Sequence, residues 1–126
     1  MTPLFLSLSL GLLLACVGDD TAQETPPDKP EKEIALGGKL FKRNGCAVCH
    51  GQEGRGDGHL ARSLNPRPRD FRELPTYQQG NTQSEIAATL KNGISLRSSA
   101  MPAYPHLSDV DASAIGAFVV FLQSQP

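Results

Sequence analysis

The sequence has no tryptophan, two tyrosines and five phenylalanines among 126 residues, so aromatic rings cannot furnish a large core. A large enzyme core and a two-domain cofactor crevice both need more chain than this. A charge excess is missing too: twelve Lys plus Arg stand against thirteen Asp plus Glu, a formal −1, which removes the case for a nucleic-acid binder. No alternating strand pattern and no internal repeat is visible. Three cysteines cannot pair completely within a monomer, which argues against a full disulfide scaffold. Glycine and proline, by contrast, total 22 residues (12 and 10). A domain this small buries a marginal share of its surface and commonly needs a cross-link, metal or cofactor in its core.

The apolar run at residues 4–15, LFLSLSLGLLLA, is too short to span a bilayer as a helix and fits a secretory signal. It ends in Leu13-Leu14-Ala15-Cys16, which resembles the bacterial lipoprotein signal, where the cysteine becomes the acylated first residue of the mature protein. Lipidation of Cys16 would also account for the odd thiol. Plain secretion, with Cys16 removed or free, is the alternative. Residues 17–33 carry six acids, two bases and three prolines, a composition that cannot bury enough surface to order itself. The expected organisation is a signal peptide at 1–15, a lipid-anchored acidic Pro-rich tether at 16–33 and a domain at 34–126. As a coil the tether averages roughly 20–25 Å end to end. From residue 34 onward ten bases face seven acids, and five of the ten are arginines between Arg55 and Arg72.

Within the domain, residues 35–44 place Leu36, Leu40 and Phe41 at helical spacing. Residues 51–81 are rich in Gly, Pro and Arg and read as a long ordered loop with a helical turn at 59–64. Thr82 and Glu85 form a capping box ahead of Ile86, Leu90 and Ile94, with Gly93 as the stop. Ser108 and Asp111 form a second, ahead of Ile115, Phe118, Val119 and Leu122 at i, i+3, i+4 and i+7. The pattern predicts an all-α domain.

The chemistry centres on Cys46-Ala47-Val48-Cys49-His50. Two thiols three positions apart beside an imidazole read as covalent haem attachment: each thiol adds to a vinyl group, and His50 takes the iron. One helical turn presents both sulfurs to a porphyrin edge and His50 to its face. The same residues also suit a thioredoxin-like pair, half a zinc site or a structural disulfide. The first needs a preceding strand, and the second needs two more ligands in finger spacing. Met101, in a Pro-bearing segment between two helices, is the candidate sixth ligand; its thioether would raise the reduction potential relative to a second imidazole. His106 and His59 are the rivals, and a gap-filling core role is the plain alternative for Met101.

These pieces resemble the class I monohaem cytochromes c, especially the small bacterial type. The likeness runs over residues 35–124: Gly37 and Phe41, CAVCH, the GRGDG loop, NPRPRDF, KNG at 91–93, MPAY at 101–104 and LSDVDASAIGAFVVFL. The resemblance implies a class I cytochrome c fold, with three or more helices around one covalent haem c and a long haem-side loop. It implies that the first and last helices cross at a small-residue contact, Gly37 or Gly38 with Phe41 against Ile115 and Phe118. It also implies that the outer nitrogen of His50 bonds a backbone carbonyl, for which Pro66 is the candidate and Pro68 the spare. The function that follows is single-electron transfer between membrane-associated or periplasmic redox proteins, with no small-molecule substrate and no enzyme activity. The membrane is reached through the N-terminal lipid. A fixed subunit feeding electrons into a respiratory complex is one alternative, and a haem sensor or peroxidase-like protein with a labile Met101 is another. The loop arginines are solvated surface, propionate ligands or a docking face.

Overall fold

A computed structural model describes residues 28–95 and 100–126; the expected signal segment, Cys16 and most of the tether lie outside them. Four α-helices form the frame: α1 (Lys29–Arg43), α2 (Cys46–His50), α3 (Gln83–Asn92) and α4 (Asp109–Gln123). Two 3-10 turns, Ala61–Ser63 and Leu74–Thr76, punctuate the loop between α2 and α3.

Helix α1 starts earlier than the sequence reading placed it. Asp28 caps it by accepting from the Lys29 N–H at 2.6 Å, and Pro30 sits in the first turn, where its missing N–H leaves no bond unmade. The expected boundary at 33/34 therefore falls inside a helix. What holds this first turn is distant in sequence. Gln83 Nε2 donates to Glu33 Oε1 at 2.8 Å and to Ser113 Oγ at 2.9 Å, and Ser113 Oγ donates to Glu33 at 3.2 Å. One polar knot thus joins α1, α3 and α4.

The crossing of α1 and α4 is made by two glycines. A Cβ on Gly37 would run into the Ala114 carbonyl, and one on Gly38 would meet the Phe118 ring at 3.2 Å. Only residues without a side chain let the two backbones approach this closely. Phe41, 2% exposed, then lies 5.4 Å from the Phe118 ring and 6.1 Å from Phe71, centroid to centroid. Ile115, Val119 and Leu122 point inward, as their spacing predicts, while Phe118 is half-buried.

Helix α3 has both halves of its capping box, with the Thr82 N–H donating to Glu85 Oε2 at 3.0 Å, whereas Ser108 caps α4 through the Asp111 N–H alone. Gly93, at φ 70°, ends α3 as predicted, but Ile94 is not its last turn. Ile94–Ser95 (β1) pairs antiparallel with Ala100–Met101 (β2), Ile94 opposite Met101. A two-residue ladder is too short for a period-2 pattern, which is why alternation gave no sign of it.

The loop from Gly51 to Asn81 is pinned to α2 through its own backbone. The N–H groups of Gly56, Gly58 and Leu60 donate to the carbonyls of His50, Cys49 and Val48 at 2.9, 3.1 and 3.0 Å. Further on, Arg72 acts as a clasp. Its guanidinium donates to the Glu53 carbonyl at 3.1 Å and the Gln125 carbonyl at 3.0 Å, and pairs with Asp70 at 3.0 Å. Among the described residues no helix is long and apolar enough to cross a membrane.

Candidate functional site

Helix α2 is five residues long and bracketed by Gly45 and Gly51, both at positive φ (76° and 81°). Those turns isolate one helical turn and place Cys46 and Cys49, at i and i+3, on a common side. Neither thiol is in a disulfide. Burial pushes the Cys46 thiol up to about 11, with a smaller push from neighbouring Cys49. A thiol held neutral is the opposite of the activated thiolate of a disulfide oxidoreductase, and among the described residues no strand precedes α2, so the thioredoxin-like reading lacks both its chemistry and its scaffold there. The half-zinc reading fares no better: among the described residues no three His, Cys, Asp or Glu side chains gather as a ligand set.

His50 packs against the Phe71 ring at 4.8 Å, nearly parallel at 29°. Burial lowers its imidazole below the ordinary histidine range, and the backbone of Arg69 offsets part of that. The ring is therefore neutral near pH 7, the form that ligates metals. Its Nδ1 is buried and makes no hydrogen bond within normal geometry. Pro66, expected to supply the carbonyl, does not: it is exposed on the cleft's rim, and neither it nor Pro68 bonds the ring. The stretch that reaches His50 lies further along, at Arg69, because Gly56 lets the Pro68 and Arg69 carbonyls press against its backbone.

A cavity of about 60 Å³, mostly apolar in lining, takes its walls from Phe41, Cys46, His50, Phe71, Met101 and Ile115. It continues into an outer cleft where Cys49 and Tyr104 lie. The structure thus brings Cys46, Cys49, His50 and Met101 to one continuous space. Met101 is half-buried and held by the short ladder opposite Ile94. The rival histidines are elsewhere. His106 is exposed and its Nε2 lies 2.9 Å from Asn44 Oδ1 at the end of α1, and His59 lies in a separate surface groove beside Asp57.

Sequence reasoning gave no individual role to three contributors. Phe71 is the one Phe, Tyr or Trp between His50 and Tyr77, and a lone apolar ring in so polar a loop is a signal that it turns inward. Tyr104 lines the outer cleft beside both thiols, and burial raises its pKa. Arg69 stands at the cavity wall, and no local pattern sets it apart from the other loop arginines.

Residues 32–119 match the family described as cytochrome c oxidase, cbb3-type, subunit III. A solved chain from the Kuenenia stuttgartiensis reducing HAO-like protein complex is similar, with a TM-score of 0.62 and 27% identity over 79% of this chain. The match covers 47% of that chain, so this sequence spans about half its length. No curated protein matches the sequence. The family match overturns the resemblance to the class I monohaem cytochromes c drawn from CAVCH, GRGDG and MPAY. Short motifs report ligand chemistry, and they are silent on the assembly a domain serves.

Proposed function

Because the chain belongs to the cytochrome c oxidase, cbb3-type, subunit III family, whose members are electron-carrying rather than catalytic subunits with haem-type cofactors, we propose that it is a haem c-bearing subunit passing single electrons into a respiratory redox complex. The observation that carries this reading is the convergence of two unpaired thiols, a neutral imidazole and a thioether on one largely apolar cavity. Those residues fit a flat, mostly apolar iron porphyrin. In the proposal Cys46 and Cys49 would hold the group through their sulfurs, and His50 and Met101 would offer the iron a nitrogen and a sulfur ligand. When bound, haem supplies a one-electron ferric/ferrous couple.

The protein's own residues do the rest. Phe71 holds the imidazole plane by stacking on it, and the apolar walls from Phe41, Ile115 and Val119 exclude water. Pairing of Met101 with Ile94 supports a fixed distal ligand over the labile one a sensor or peroxidase would need. The short apolar run and Cys16 support export and a lipid anchor that leaves the domain facing the periplasm, where it meets its redox partners.

The test is a visible spectrum of the purified protein, oxidised and reduced, beside haem staining of a denaturing gel. Retained stain and a weak far-red band in the oxidised form are expected. Met101→His should erase that band and lower the potential. A chain without covalent haem refutes the reading. Mass spectrometry of the native N-terminus checks the anchor, and a free Cys16 thiol would remove it.

A further inference from the structure

Five aromatic rings stand in series from His50 to the surface of the molecule. The His50 imidazole stacks on Phe71 at 4.8 Å, Phe71 meets Phe41 edge-on at 6.1 Å, and Phe41 meets Phe118 at 5.4 Å. Phe118 then stacks on Phe121 at 6.4 Å, with 24° between the ring planes. Every step falls within the roughly 4.5–7 Å of a direct aromatic pair. The row leaves the loop at Phe71, crosses α1 at Phe41 and ends on α4. Phe41 and Phe71 are buried, Phe118 is half-buried and Phe121 is 40% exposed. Neither Phe118 nor Phe121 lines the cavity or the outer cleft. Core packing accounts for Phe41 and Phe71. It does not account for Phe121, a ring at the surface whose stacking partner leads back, ring by ring, to His50.

Resting on the haem c reading above, we propose that this row of rings is a route for the electron between the iron and the outer face of α4, a second port besides the outer cleft. An electron crosses protein by tunnelling, and it tunnels best through closely packed matter, because every gap is a barrier. His50 is where the row would meet the iron, and its ring already lies face to face with Phe71. No ring is oxidised on the way. One electron leaves ferrous iron, which becomes ferric, and reduces a one-electron metal centre of a neighbouring redox protein at the α4 face. No proton moves, and the reverse direction balances in the same way. Two ports suit a subunit held in a complex, which must take an electron from one partner and pass it to another without turning round.

The test is the rate of light-triggered intramolecular electron transfer in full-length holoprotein carrying a ruthenium bis(bipyridine) imidazole label on one surface histidine. The label sits either on a histidine introduced by Ser124→His, exposed at the end of α4 just past Phe121, or on His59 in its separate groove. At each site Phe118→Leu and Phe121→Leu are compared with the parent sequence. From residue 124 both substitutions should slow transfer several-fold, because the narrower side chain breaks the ring contact. From His59 the rate should keep its parent value, and the spectra and reduction potential should not change. Phe121→Leu, at the surface, decides the matter alone if Phe118→Leu does not fold. Rates from residue 124 that neither substitution alters overturn the proposal. So does equal slowing from both label sites, which would report a disturbed iron site instead of a lost route. Absence of covalent haem from the parent protein would instead sink the reading beneath it.

Discussion

The α1–α4 crossing and the loop from Gly51 to Asn81 face each other across the cavity and are held together by different means. The crossing is apolar and tight: Gly37 and Gly38 admit Ala114 and Phe118, and Phe41 and Ile115 close the core behind them. The loop is polar and draped. Its order comes from backbone bonds to α2 and from the clasp of Arg72, and Phe71 is its main deeply buried side chain apart from Ala61. One side stands on protein packing alone, while the other, on the proposed function, would close upon an occupant.

The largest expected effect tests that dependence. Replacing Cys46 and Cys49 together with Ala should abolish covalent attachment and most of the cooperative melting transition, since cofactor binding energy becomes folding energy in small domains. Amide hydrogen exchange should show the loop losing protection first and α1–α4 retaining part of theirs. Equal loss in both regions would break the comparison. Next comes the crossing itself. Phe41→Ala should cost about 3–5 kcal/mol by thermal or chemical unfolding, as for a fully buried aromatic. Phe118→Ala, half-buried over Gly38, should cost about 2 kcal/mol, nearer the area it removes from water. Equal costs would mean that the crossing is not graded by burial.

The same contrast decides what could be read before any coordinates. Helices α3 and α4 were legible because Thr82, Glu85 and Ser108 cap them locally and apolar residues recur at helical spacing. That Cys46, Cys49 and His50 share one helical turn was legible because they lie within five residues of one another. The first turn of α1 was not, since an acidic, proline-bearing stretch reads as coil until Gln83 and Ser113 are seen to bind Glu33 from 50 and 80 residues away. Nor was the choice of Arg69 among five arginines, or of its backbone over Pro66 behind His50. Both depend on where a loop without periodicity turns, and Gly56 decides that through contacts distant in sequence. The family, too, lay beyond motifs that several kinds of haem domain can share.

A smaller effect should sharpen the contrast from the loop's side. Arg72→Ala removes charge-assisted bonds to the Glu53 and Gln125 carbonyls and the ion pair with Asp70, which keeps only the backbone N–H of residue 72. A loss of about 1.5–3 kcal/mol is expected, the range for hydrogen bonds to charged groups. Arg72 touches neither Phe41 nor Ile115, so hydrogen exchange in the crossing should stay unchanged while the loop's rises.

The smallest effect is a matter of sign with pH. The Arg72 backbone N–H, and then its guanidinium, hold the Asp70 carboxyl below its ordinary value. A carboxylate whose pKa is lower in the folded state binds fewer protons there than in the unfolded chain. Its contribution is therefore complete above the unfolded value of about 3.9 and is lost as pH falls through the folded one. Asp70 is 28% exposed, so solvent screening keeps the pair to at most about 1 kcal/mol. Asp70→Asn should thus lower stability by a small, constant amount from neutral pH down to about pH 5, and the difference from the parent should shrink in more acidic solution. Chemical denaturation of both proteins across that range is the measurement. A gap that widens on acidification would carry the wrong sign for a depressed carboxylate, and the loop would then owe its hold to Arg72 and the backbone carbonyls without Asp70.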